Sequence, residues 1–210
     1  MTEEQKDRLS IYREFGGNAQ KAYNFVFGTT QCSNDSHSIK DGVYIIYKDG
    51  SYELFNGENK KDDVSKIGLV MGEKKIAIGL KDKVGYSLTN YNGDEECGKY
   101  YDNSIDAISD WDGEKNTEHI KSIGTDIPLD DGEFIPSVGQ IGFVNLFLKS
   151  VNVALEYVGG EKLEGCYWTS TEYSAEYAWY LSLGDGSLYR WGAKTSDRSH
   201  VRAVSAFPHK

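Results

Sequence analysis

Cys166-Tyr167-Trp168-Thr169-Ser170-Thr171-Glu172-Tyr173, followed by Ala178-Trp179, Gly186, Lys194 and Val201-Arg202-Ala203-Val204, is the stretch on which the fold turns. It reads as short aromatic strands, CYWTSTEY, YAWYLSL, SLYRW and VRAVSAF, separated by small or polar residues. Gly184-Asp185-Gly186 supplies a tight turn between the second and third. Side chains alternate across a strand, so in YAWYLSL Trp179, Leu181 and Leu183 go to the core, and Tyr180 and Ser182 to the surface. In VRAVSAF neither face is cleanly polar, which predicts a strand covered on both sides. Trp168 is expected in the core, and Arg202 is expected to pair with a framework acid such as Glu172.

Working upstream, Gly159-Gly160 stops a helical stretch over Val151 to Val158. Before it, Pro136 and Ser137 open a helix through Gln140, Phe143, Val144, Phe147 and Leu148. A shorter helix is predicted near residues 116–120, capped by Asn116 or Thr117, with Pro128 closing that unit. Residues 82–115 are polar and glycine-rich, and YNGDEECGKYYDNS within them reads as a surface loop. Two hairpins precede them: GVYIIYKDGSYELF, turning at Lys48-Asp49-Gly50, and IGLVMG followed by a Glu-Lys-Lys turn and IAIGL. At the N-terminus Leu9, Tyr12, Phe15, Ala19, Ala22, Tyr23 and Val26 recur at near-helical spacing. The predicted class is α+β, with a helical leader at 1–28, a small β-rich unit at 29–95 and a C-terminal domain at 96–210.

Composition narrows the function classes. The 210 residues carry a net charge of −10, which repels phosphate backbones and argues against nucleic acid as a partner. The N-terminal residues MTEEQKDRLSIYREF are charged throughout, unlike a signal peptide. No apolar run approaches the length of a membrane span, so no membrane insertion is expected. Cys32, Cys97 and Cys166 are far apart and odd in number, without metal-ligand spacing. They are read as small hydrophobes, and no metal and no cofactor is expected.

The aromatic stretch, with Phe134-Ile135-Pro136-Ser137 and the Gly159-Gly160 stop upstream, resembles the variable proteins of diversity-generating retroelements, in their gut-bacterial and phage branch. The resemblance covers residues 110–207 well and the N-terminal third loosely. It implies a C-type-lectin-like C-terminal domain with a ligand-binding region at about 166–207. It further implies a protein or glycan receptor on a cell surface, display on a phage virion or a bacterial surface, and a homo-oligomer (a trimer) or a monomer. In that family a retroelement rewrites adenines, mainly in asparagine codons that keep a pyrimidine in third position. Residues 174–200 contain no asparagine and are dominated by types such codons reach. Glu176, Trp179, Trp191 and Lys194 are unreachable by that route and are read as framework or as products of other codons.

The residues from Tyr173 to His200 carry Arg190, Lys194 and Arg198 against Glu176, Asp185 and Asp197, a formal charge of zero on a strongly acidic chain. Tyrosine and tryptophan give large contact area at low entropy cost, and serine and glycine adapt to a partner. The candidate ligand-binding residues are Ser174, Ala175, Tyr177, Tyr180, Ser182, Asp185, Tyr189, Arg190, Trp191, Ala193, Ser196, Asp197, Arg198 and His200. A fixed assembly contact in a tail or pilus tip is the alternative. A small-ligand or glycan pocket is another, and would need a cavity lined by Tyr177, Tyr180, Tyr189 and Trp191.

No enzyme is expected. The chain has no second tail cysteine to match the pair of the formylglycine-generating enzymes, which share the lectin-like fold, and no Glu-Pro-Asn calcium motif. Gly-Lys-Ser/Thr and Gly-x-Ser-x-Gly motifs are absent as well. His200 has only Ser199 beside it, and sequence adjacency does not make a catalytic triad.

Overall fold

The computed structural model describes residues 39–90, 100–183 and 185–208. The leader expected at 1–28, Cys32 and Cys97 lie outside them.

Both expected hairpins form, the first at the turn the sequence marks. Strand β1 (Gly42–Tyr47) pairs antiparallel with β2 (Tyr52–Leu54) across Lys48-Asp49-Gly50. Gly50 takes φ +82° there, and the Asp49 carboxylate accepts from the Ser51 amide at 2.9 Å and hydroxyl at 2.6 Å. Strand β3 (Val64–Met71) pairs with β4 (Lys74–Gly79). The second turn is shorter than the Glu-Lys-Lys expected: Gly72 at φ +59° and Glu73 make it, and Lys74 and Lys75 already belong to the ladder. A tight turn keeps two more residues in register, which favours the longer strand.

These strands form an antiparallel sheet in the order β2-β1-β3-β4-β8, where β8 is Val204–Ser205. Both faces of its centre are buried. Ile45, Ile67, Leu69, Ile76 and Ile78 line one, and Tyr44, Ile46, Val70, Ala77 and Phe207 the other. Gly68 leaves room for Phe207, whose ring would lie 2.5 Å from a Cβ there.

Among the described residues four helices lie between β4 and the second sheet in sequence. The polar stretch 82–115, where no helix was expected, contains α1 (Ser104–Ser109), opened by the Asn103 side chain accepting from the Asp106 amide at 3.0 Å. Helix α2 (Gly113–Ile123) begins three residues ahead of the expected caps. Asn116 instead donates to the Asp110 carboxylate at 2.8 Å. Thr117 bonds Gly113 O and accepts from the Ile135 amide, tying the helix to the next segment. Helix α3 (Val138–Leu146) follows Pro136-Ser137, with Gln140 Oε1 accepting from the Ser137 amide at 2.9 Å. It bends by 80° into α4 (Leu148–Tyr157), which packs on β1 and β3. Gly159, at φ +76°, and Gly160 donate to Glu156 O and Leu155 O, the paired bonds that stop a helix at a left-handed residue. Among the described residues no single helix is long and apolar enough to cross a membrane.

The second sheet is β5 (Cys166–Glu172), β6 (Tyr177–Ser182) and β7 (Leu188–Ala193), antiparallel and in that order. Residues 200–204 are the seam between the sheets. The Trp168 amide donates to His200 O and the His200 amide to Cys166 O, while Val201 bridges Lys83 and Val204 bridges Phe134. Gly79 N donates to Ala203 O on the other side. The boundary drawn at 95/96 is therefore bridged, because the first sheet takes β8 from the far end of the sequence. Val201, Arg202, Ala203 and Val204 are all buried, as expected of a segment covered on both sides.

Candidate functional site

The surface rests on a buried frame in β5. Residues Tyr167 to Glu172 are all buried. Two residues of β5 bulge out between the Trp168–Tyr180 and Glu172–Ala178 pairs. The threonines there satisfy the broken ladder: Thr169 Oγ1 donates to Trp179 O at 2.7 Å. Thr171 Oγ1 donates to the Asp110 carboxylate at 2.6 Å and accepts from the Val138 amide. Trp179, Leu181 and Leu183 are buried as the alternation predicts, and Tyr180 and Ser182 half-buried. The Trp179 indole donates to Tyr101 O at 2.9 Å. Trp168 lies in a core cluster with Leu88, Ile120, Ile135 and Val201.

Arg202 pairs with a framework acid as expected, but the acid is Asp82 and not Glu172. Its guanidinium is fully buried and bonds Asp82 Oδ1 at 2.7 Å, with Gly79 O and Glu161 O at 3.0 Å each. Seam pairing carries Arg202 toward the end of β4, whereas Glu172, at the other end of β5, pairs with Lys194. Asp82 also accepts from Tyr167 Oη at 2.8 Å and lies 3.3 Å from His200 Nδ1. Burial first, then the Asp82 charge, pushes the Tyr167 hydroxyl well above its ordinary range.

All fourteen candidate residues reach solvent. Asp185, Tyr189, Arg190, Trp191, Ala193, Asp197 and Arg198 are exposed, and Ser174, Ala175, Tyr177, Tyr180, Ser182, Ser196 and His200 half-buried. They do not form one flat face. Strand β7 carries one extra residue between its pairings with Tyr180 and Ala178, so Tyr189, Arg190 and Trp191 are exposed in succession. The bulge sends the aromatics to both sides of this edge strand. On one side Tyr189 stacks on Tyr180, with ring centroids 5.0 Å apart and planes 17° apart, and Tyr180 meets Trp168 edge-on. On the other, Trp191 meets Tyr173 at 4.9 Å and Tyr177 at 5.6 Å, with Arg190 5.3 Å from its ring and 5.5 Å from that of Tyr173. The site is a ridge along β7.

Asp185, Ser196 and His200 lie outside β7. Asp185 accepts from the Ser187 amide at 2.9 Å in the β6–β7 turn, a bond that lowers its carboxyl pKa. Ser196 turns the chain after β7, its amide bonding Ala193 O. His200 sits at the seam, edge-on to Tyr167. Tyr173 is a ridge residue absent from the sequence-based set. It follows the motif directly, but strand alternation cannot be extended through a bulge.

A groove of about 440 Å³ lies elsewhere, between the first sheet and α4, lined by Val43, Leu54, Phe55, Met71, Phe147 and Val153 among others. Among the described residues no group of three or more His, Cys, Asp or Glu side chains is placed to hold a metal ion.

No family model matches the chain, and no curated protein does. Among solved structures it is similar to a fimbrial protein from Bacteroides ovatus, with a TM-score of 0.58 and 16% identity over 80% of this chain and 49% of that one. The chain thus spans about half the length of that protein, and the likeness is one of fold.

Proposed function

We propose that this chain is a non-enzymatic binding protein whose β7 ridge contacts a protein or glycan receptor. The carrying observation is a division of labour along one stretch. All fourteen candidate residues reach solvent, while Trp168, Trp179, Gly192 and Lys194, interleaved with or directly beneath them, are buried. A surface so arranged changes its side chains without disturbing its support. The finer reading is a C-type-lectin-like variable protein of a diversity-generating retroelement, displayed on a bacterial surface or a phage virion. The exposed Tyr, Trp and Arg are the residue types that dominate binding hot spots.

The gene and its flanking DNA test this. A near-copy of codons 166–207 nearby, with adenine-specific differences at codons 174–200, supports a diversified ridge. An invariant tail with no such copy overturns it. Binding to intact cells and to a glycan array, lost in Tyr189→Ser/Trp191→Ser, identifies the receptor class. A second reading, a fixed assembly contact in a surface filament, is favoured by the fimbrial neighbour. It predicts an invariant ridge that is covered in the assembled form.

A further inference from the structure

Lys194 is 2% exposed, on a stretch whose neighbours on both sides reach solvent. Its ammonium meets the Glu172 carboxylate and donates to Ala175 O at 2.8 Å. Its backbone is engaged as well: the amide donates to Glu176 O at 3.0 Å, and the carbonyl accepts from the Thr89 amide at 3.1 Å. One residue thus holds the 173–176 loop at two successive carbonyls. Tyr101 fixes the loop's start by donating to Glu172 O, and the amides of Tyr173 and Ser174 converge on Tyr177 O at its end.

Burying a lysine is costly unless it is paired, and a hydrophobe of similar volume would often serve stability as well. What methionine or leucine at 194 could not supply is a donor for the Ala175 carbonyl and a counter-charge for Glu172. That donor acts on the segment that carries Tyr173 and leads into Tyr177, the rings packed against Trp191. We propose that Lys194 is a positioning residue for the ridge, locking the 173–176 loop to β7 and so setting where Tyr173 and Tyr177 stand against Trp191. This rests on the reading of the ridge as the binding surface, and deepens it: the fixed lysine gives every surface variant the same loop.

The experiment is NMR on the full chain with Lys194→Met, read at the indole N–H groups and at the amides of residues 173–177. The expected result is that Trp191 and the loop shift or broaden, while the Trp168 and Trp179 indoles keep their positions and thermal unfolding stays cooperative. Glu172→Gln, which removes only the counter-charge, is expected to give the same pattern in smaller degree and serves if Lys194→Met does not fold. Unmoved loop signals in a folded variant overturn the proposal. So do changes that spread equally to Trp168 and Trp179, which would make Lys194 ordinary core. The readout needs no ligand, so failure to find a receptor counts against the binding function alone, and an unmoved loop against the positioning role alone.

Discussion

The two sheets are built from similar strands but handle the ladder differently. From β1 to β4 the pairing is nearly continuous, interrupted once between Ile46 and Tyr47, and both faces of the centre are buried. From β5 to β7 each pairing is interrupted, by two extra residues in β5 and one in β7. A bulge loses a ladder bond and re-aims side chains. In the first sheet continuity makes a core. In the second, threonines and buried charges stabilise the interruptions, and the re-aimed side chains become a surface. The β7 bulge also twists an edge strand that would otherwise invite pairing with another chain.

The strongest way to break this contrast is at the seam that joins the sheets. Asp82→Ala leaves Arg202 buried without its carboxylate, and loss of one partner of a buried pair costs about 3–5 kcal/mol. Urea unfolding is expected to show that loss in a single transition, and two separate transitions would mean the sheets are independent. Gly192→Ala comes next. A Cβ there lies 2.4 Å from the Trp168 ring, and overpacking costs about 1–3 kcal/mol. Gly50→Ala, with nothing within 4 Å of the added Cβ but φ at +82°, is expected to cost less, about 1 kcal/mol.

The pH dependence separates the sheets through Glu172. Burial raises its carboxyl pKa above the ordinary value, the Lys194 contact opposing in part. The native state therefore holds that proton to higher pH than the unfolded chain does. The contribution is full below the ordinary glutamate range and is lost as pH rises through the raised value. Chemical denaturation of wild type against Glu172→Gln from pH 4 upward is expected to show this falling component only in wild type. Smallest of all are the surface changes: Arg198→Ser and Ala193→Ser are expected to move stability by no more than about 0.5 kcal/mol. A larger loss at either position would blur the division between frame and ridge.

Much of this was legible in the sequence because local chemistry decided it. Asp49-Gly50, Ser137 and Gly159-Gly160 each act within a few residues of themselves, and each sits where its side chain or backbone freedom predicts. Helix α1 was not legible, since Ala107 is its one buried residue and no apolar period forms. The partner of Arg202 was illegible for another reason: Asp82 is 120 residues away, brought close by the seam. At the site, alternation placed Trp179, Leu181 and Leu183 in the core. The β7 bulge then ended the alternation, so the aromatics became a two-sided ridge, and the bulge in β5 left Tyr173, just beyond it, unassigned.

The seam has a consequence for synthesis. Residues 201–207 place Arg202, Val204 and Phe207 into structure laid down by Lys83, Phe134 and the first sheet, and they are translated after every residue of the ridge. A chain ended prematurely within residues 173–200 lacks these closing residues. It would leave the first sheet with an open edge and Asp82 without its guanidinium, a target for proteolysis. A chain read through the whole ridge is thus the one that also carries the residues closing the first sheet and neutralising Asp82.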